Sequence, residues 1–331
     1  MMKKRLVTLC TAQWADLPFN ELCETAAKMG YDGLEIALWG NSFDLDKASQ
    51  DDGYIANMLD TLKKNNLCCH SVASHIYGQC IGDAPDERLN VFAPPALAGK
   101  PAEIRAWGIE SMKKIPQIAK KLGVGVVTGF TGSPIWKFVY SFPPTTAKMV
   151  EDGFDEIVAL WTPILDVFRE NGVKFALEVH PGEIAFDYYS TEKLLKKFEN
   201  YPEFGINFDP SHLLWQGIAP HLFLGDFIDR VYHVHMKDVA VTLDGRSGIL
   251  GSHIDFGDLR RGWNFRSLGH GHVNFEEIIR VLNAAGYSGP LSVEWEDNGM
   301  DRIEGATEAA EFVKRINFSP STIKFDDAIT N

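Results

Sequence analysis

Eight short apolar runs recur along the chain, separated by stretches that carry apolar residues at helical spacing. The runs are Leu6–Cys10, Gly33–Ile36, Cys68–Val72, Gly125–Thr128, Phe175–Glu178, Gly205–Phe208, Val231–His235 and Leu291–Glu294, and each reads as a strand. Helical patterns span Phe19–Met29, Ile104–Leu122, Phe154–Glu170, Phe275–Ala285 and Gly305–Ile316. Gly30 follows the first as a natural stop. A further helix is expected to open at Ser190, whose hydroxyl can cap free backbone N–H groups, with Glu192 placing negative charge in the first turn. Lys193 rules out a full capping box there. Strands alternating with helices over 331 residues give an α/β fold, and eight of them fit a closed (β/α)8 TIM barrel, one domain over 1–331. An open doubly wound sheet would usually show a glycine-rich phosphate loop after its first strand. Here that place reads Thr11-Ala-Gln-Trp-Ala15.

The connections are asymmetric. Short turns such as Lys28-Met-Gly-Tyr-Asp32 lead into strands, whereas long excursions at about 73–102, 129–147 and 236–274 leave them. In a barrel all three emerge on the face that carries the substrate loops. Trp136, Phe138, Tyr140, Phe142, Trp263 and Phe265 lie in them, as a lid over a bulky substrate or as an interface between copies of a homo-oligomer.

Four runs end on, or are followed at once by, a residue able to ligate a metal: Glu178, Asp209, His235 and Glu294. One charged strand end would be ordinary. Four on the last four strands would converge in one barrel mouth, where three carboxylates without a cation would repel one another. Oxygen donors with one imidazole suit one divalent ion, Mn²⁺ first, with Mg²⁺, Co²⁺ or Zn²⁺ as alternatives. His180 and His212 stand close by in sequence. His212 either donates to substrate or orients a ligand. Lys237 either stabilises an oxyanion or forms a structural ion pair. His233 is expected one layer deeper than His235, as a satisfied packing histidine. Glu183 and Glu296 are open to pairing or solvent, and Glu183 is also a substrate candidate. Arg246, Arg260, Arg261 and His270 lie in the last long loop, and one of its arginines, with Arg246 as the candidate, is expected to reach the site.

A metal between two glutamates leaves room for two adjacent oxygens of a hydroxy-ketone. One glutamate, Glu178 or Glu294, can remove the neighbouring proton and the other can return it through a metal-bound cis-enediolate. Return to the same carbon is epimerisation, return to the next is isomerisation, and loss of a leaving group makes a lyase. The residues alone leave these exits open, and a non-enzymatic binding barrel is a further alternative.

Composition removes other classes. A net charge of −13 without a basic track argues against nucleic acid as a partner. No apolar run approaches the roughly 20 residues that span a bilayer. The five cysteines at 10, 23, 68, 69 and 80 form no disulfide framework, which points to the cytoplasm.

The segments Leu177-Glu-Val-His180, Asn207-Phe-Asp-Pro-Ser-His212, Val234-His-Met-Lys-Asp238, Leu268-Gly-His-Gly-His-Val273, Ser292-Val-Glu-Trp-Glu296 and Gly30-Tyr-Asp-Gly-Leu-Glu35 stand in order along the chain. Together they resemble the sugar phosphate isomerase/epimerase superfamily, the xylose-isomerase-like barrels. The resemblance implies Glu178, Asp209, His235 and Glu294 as metal ligands, Glu178 and Glu294 as acid and base, and His212 on a substrate oxygen. Lys237-Asp238 resembles the pattern of inosose-type members, and a sugar or cyclitol is the implied substrate. The long aromatic loop from Gly129 to Pro143 departs from compact epimerases. It is similar to an enlarged branch, the catalytic subunits of 3-oxo-glycoside and C-glycoside deglycosidases. That branch implies a lyase on a 3-oxo-glycoside, with Trp136 against the aglycone, Lys137 or His75 in acid–base work or merely on the lid surface, and a small partner subunit as an option.

Overall fold

The computed structural model describes residues 4–323 and 326–330, so the start of the basic stretch, Met1-Met2-Lys3, lies outside the described residues. Eight parallel strands close into a barrel: β1 (Val7–Cys10), β2 (Gly33–Ala37), β3 (Cys68–Ala73), β4 (Val126–Gly129), β5 (Lys174–Glu178), β6 (Phe204–Phe208), β7 (Val231–Met236) and β10 (Leu291–Val293). Neighbours pair in chain order, and β10 closes the ring between β7 and β1. Each expected strand is present to within a residue or two. A separate antiparallel pair, β8 (Asp238–Val241) and β9 (Trp263–Arg266), folds within the third long excursion. The (β/α)8 class is therefore as the alternation of the sequence implies.

Two faces of each strand meet two different environments. Phe175 of β5 points outward, its ring 4.5 Å from that of Trp161 and 5.8 Å from that of Phe168 on the helix Ala147–Asn171. By the period of two, Ala176 and Glu178 face the barrel interior. The outer layer is the hydrophobic core, and burying a side chain such as Phe175 contributes about 1.5–3 kcal/mol. The interior is unusually polar for a barrel: Thr8, Glu35, Ser71, Thr128, Asn207, His233 and Ser292 are all buried there or beside it. Such a column is stable only if its members bond one another. Thr128, His233 and Ser292 bond Glu35 and Ser71 joins through His233, whereas the Thr8 hydroxyl has no partner.

Helix ends show one correction. Asp187, not Ser190, caps the helix Tyr188–Lys197. The Asp187 carboxylate accepts the Ser190 N–H at 2.9 Å, and the Ser190 hydroxyl accepts the Asp187 N–H at 3.0 Å. Ser190 is the third residue of a capping box whose return partner is a serine rather than a glutamate. The first long excursion also contains a helix, His75–Gly82. A Cβ at Gly78 would collide with the Phe130 carbonyl, so glycine alone lets this helix lie against the end of β4. That contact seats His75 and Phe130 side by side, ring centroids 4.6 Å apart, at the barrel mouth. Among the described residues, no helix is long and apolar enough to cross a membrane.

Candidate metal centre

β5, β6, β7 and β10 deliver Glu178, Asp209, His235 and Glu294 to one point. One ligand atom from each lies within 4.8 Å of all the others. All four are buried, Glu294 least so. Asp209 follows β6 and caps the short helix Pro210–Leu214, its Oδ1 accepting the Ser211 N–H and hydroxyl at 2.7 Å each. Its Oδ2 is buried with no hydrogen-bond partner, as is Asn207 Oδ1 beside it. A bare buried carboxylate oxygen is costly, and a cation among these three carboxylates would satisfy it. Three oxygens and one imidazole nitrogen fit a hard divalent ion.

The histidine is oriented from below. His235 Nδ1 stands 3.1 Å from Glu294 Oε2 and 3.3 Å from Glu178 Oε2. Its Nε2 stands 3.0 Å from Glu35 Oε2. Nδ1 is thus the atom that would be offered to a cation, with Nε2–H donating to the carboxylate of Glu35. Glu35 also accepts from Ser292 Oγ at 2.6 Å and Thr128 Oγ1 at 2.5 Å, and sits 2.8 Å from His233 Nε2. Burial alone would raise Glu35, but the His235 and His233 charges outweigh it and hold the carboxyl well below its ordinary range. Glu35→Gln is expected to weaken Mn²⁺ affinity about 10–100-fold, the usual loss when such an outer partner is removed. Calorimetric titration of the variant checks it.

The two glutamates are held differently. Glu178 touches three imidazoles: His75 Nε2 at 3.0 Å from Oε2, His212 Nε2 at 3.1 Å from Oε1, and His235. The His212 contact is close without hydrogen-bond alignment, which leaves Nε2 an unpartnered buried atom. Burial raises Glu178, and the contacts from His212, His235 and His75 outweigh it, leaving the carboxyl well below the ordinary range. Glu294 pairs with Lys237 Nζ at 3.1 Å. Burial opposes its ionisation, but the Lys237 charge wins and the Glu294 carboxyl falls to about 2. Lys237 lies 2.9 Å from Glu296 Oε2 as well, and its Nζ is 4.3 Å from the Phe265 ring centre. Burial would favour the neutral amine, but Glu294 and Glu296 keep it charged well above the ordinary lysine range. Burial pushes His180 the other way, well below the ordinary histidine range.

A cavity of about 510 Å³ opens above these groups, lined by Glu178, Glu294, Lys237, His75 and His180 at its polar end. Trp39, Phe92, Phe130, Phe256 and Phe265 form its outer wall. His212 is buried beside Glu178 and does not line this cavity. Five further candidates lie elsewhere. Trp136 and Glu183 line a second cavity, because the 129–147 loop packs outward against Phe186. Lys137 is exposed, its ammonium over the Phe138 ring. Arg246 stands in an exposed turn, its backbone N–H on Asp244. Arg261 is spent inside its own loop, stacked on Phe256 and Trp263 and bonded to the Ile254 carbonyl. Glu35, Asn207 and Trp39 are site residues for which sequence reasoning gave no role. For Glu35, the signal was an acid inside an apolar run.

A family model described as the xylose isomerase-like TIM barrel matches residues 23–316. An uncharacterized protein, YfiH of Bacillus subtilis, is 26% identical over 320 residues, covering 90% of this chain and 95% of that protein. An inosose dehydratase of Clostridium perfringens is 26% identical over 196 residues, which cover 57% of this chain and only 61% of the dehydratase. Among solved structures, the 3-keto-D-glucoside 4-epimerase YcjR of E. coli has a similar fold, with a TM-score of 0.65 at 14% identity over 94% of this chain and 100% of that one.

Proposed function

Because the chain belongs to the xylose isomerase-like TIM-barrel family, we propose that it is an enzyme that enolises a hydroxy-ketone, a keto-sugar or cyclitol ketone, and returns the proton as an isomerase or epimerase. The observation that carries this reading is the convergence of Glu178 and Glu294 on one buried point at the foot of the cavity. Glu178, Asp209, His235 and Glu294 would hold a divalent cation, Mn²⁺ first. That ion, when bound, supplies Lewis-acid polarisation of the substrate carbonyl.

The chain's own groups do the rest. Glu178 and Glu294 are ionised and come from β5 and β10, which β6 and β7 separate in the barrel, so one removes the proton beside the carbonyl and the other returns it. His75, His212 and Asn207 surround Glu178 and fix which oxygen faces the substrate. Lys237 is an ammonium and cannot act as base. It stabilises the negative oxygen that forms as the proton leaves. The neutral ring of His180 binds a substrate hydroxyl. Trp39, Phe130 and Phe265 exclude water, which strengthens each of these charge interactions. The relatives named inosose dehydratase and 3-keto-D-glucoside 4-epimerase support a substrate of this kind.

Elimination from the same enediolate is the second reading. The aromatic outer wall of Trp39, Phe92, Phe256 and Phe265 favours it, because it suits a leaving group larger than water. Incubating Mn²⁺-loaded protein with ketohexoses, inososes and 3-oxo-glucosides separates the two by product mass. A product of unchanged mass is expected for the first reading. Loss of water or of an aglycone moves the assignment to a lyase. No product from any of them, with each of the four metals, would overturn both.

A further inference from the structure

A second cavity, of about 330 Å³, opens on the same face of the barrel, between the segment after β4 and the segment after β5. Its walls are aromatic: Trp136 meets Phe186 edge to face with ring centroids 5.2 Å apart, and Phe138 and Phe154 also line it. Glu183 lines it too and is 1% exposed. Glu183 Oε2 accepts the N–H groups of Thr131 and Gly132, both at 2.7 Å, and the Thr131 hydroxyl at 3.2 Å. Its Oε1 has no partner. A buried polar atom left in this state costs about 1–3 kcal/mol, and the interior offers nothing else to satisfy it.

We propose that this cavity is a second binding site, for a planar aromatic ring bearing a hydroxyl, with the ring among Trp136, Phe138 and Phe186 and the hydroxyl on Glu183 Oε1. The volume lies at the small end of ligand cavities, which suits one ring or two fused rings. Flat rings gain edge-to-face and stacked contacts with such walls. Burial pushes the Glu183 carboxyl up to about 8, so at neutral pH it carries a proton. All three internal donors go to Oε2, so that proton sits on Oε1. A hydroxyl accepts from it, and would donate to the carboxylate if the proton were lost. Asp187 on the same lining disfavours an anionic ring, and Lys193 there is already paired with Glu151. The site is separate from the metal centre. Yet Glu183 donates its own N–H to the His180 carbonyl at 2.9 Å, and its partner Thr131 adjoins Phe130, so a ligand here would press on the wall of the main cavity.

The test is calorimetric titration of the full chain with 7-hydroxy-4-methylcoumarin and with 4-methylcoumarin, which lacks the hydroxyl. One saturable site is expected for the first, and binding about tenfold weaker for the second, the loss of one hydrogen bond to a buried group. Trp136→Ala should weaken binding about tenfold through the lost ring contact, while Trp39→Ala, in the main cavity, should leave it unchanged. No saturable binding, or equal affinity for the two rings, would overturn the proposal, and the comparison of the two rings needs no variant to fold. Loss of binding in Trp39→Ala with Trp136→Ala unaffected would overturn it too, by moving the ligand to the metal centre.

Discussion

Chelation with EDTA is expected to abolish turnover and to lower the melting temperature by about 4 °C, and added Mn²⁺ should restore both. The magnitude follows from mass action. An ion that binds only the folded chain, at a hundred times its dissociation constant, stabilises it by about 2.7 kcal/mol, which in a chain of this size is worth a few degrees. The cause is electrostatic. Glu178, Asp209 and Glu294 are buried together, with ligand atoms no more than 4.8 Å apart. Burial pushes Asp209 up to about 6, against the pull of His212 and Lys237 and with the help of the Glu178 and Glu294 charges. A divalent cation relieves that repulsion and gives Asp209 Oδ2 a partner. Asp209→Ala should remove the metal-dependent part of the shift while leaving the fold intact. Differential scanning calorimetry with and without Mn²⁺ measures this, and an unchanged melting temperature in both proteins would contradict a metal centre here.

Much of this centre was readable in the sequence because strand ends advertise themselves. An apolar run that stops on Glu, Asp or His places that group where the barrel opens, and the four residues able to hold a cation stand out in this way. Glu35 was harder. It lies inside Gly33-Leu-Glu-Ile-Ala37, where alternation alone cannot say that an acid faces inward, and its meaning depends on His233 and His235 from a strand almost 200 residues later. The helix His75–Gly82 was missed because it is apolar on nearly every side and so lacks a helical stripe. The β8–β9 pair was hidden in the long excursion, although Asp-Val-Ala-Val and Trp-Asn-Phe-Arg carry strand residues. The direction of the 129–147 loop was beyond sequence reasoning. Its aromatic residues fit a lid equally well, whereas Trp136 packs on Phe186 and, with Phe138, lines the second cavity, and Tyr140 and Phe142 are exposed.

Replacing either glutamate of the pair should have the largest effect on catalysis. Glu178→Gln and Glu294→Gln each keep the size and a coordinating oxygen but lose the proton-accepting charge, so kcat should fall by about 10³-fold or more, within the range of general acid–base contributions. Metal content should fall far less, which separates proton transfer from ligation. Glu294→Gln has a second consequence: Lys237 loses one of its two carboxylate partners and is left on Glu296 alone. Its affinity for an oxyanion should survive, since the ammonium remains. Lys237→Met removes the charge that stabilises the oxyanion, so it should lower kcat and slow exchange of the substrate proton together.

The measurement that bears most directly on the account is NMR of a keto-sugar or inosose incubated in D₂O with Mn²⁺-loaded protein. The account predicts that deuterium enters the carbon beside the carbonyl at a rate set by the enzyme, and that this exchange all but disappears in Glu178→Gln. Turnover of substrate with no deuterium at that carbon, or exchange undiminished in Glu178→Gln and Glu294→Gln alike, would contradict it.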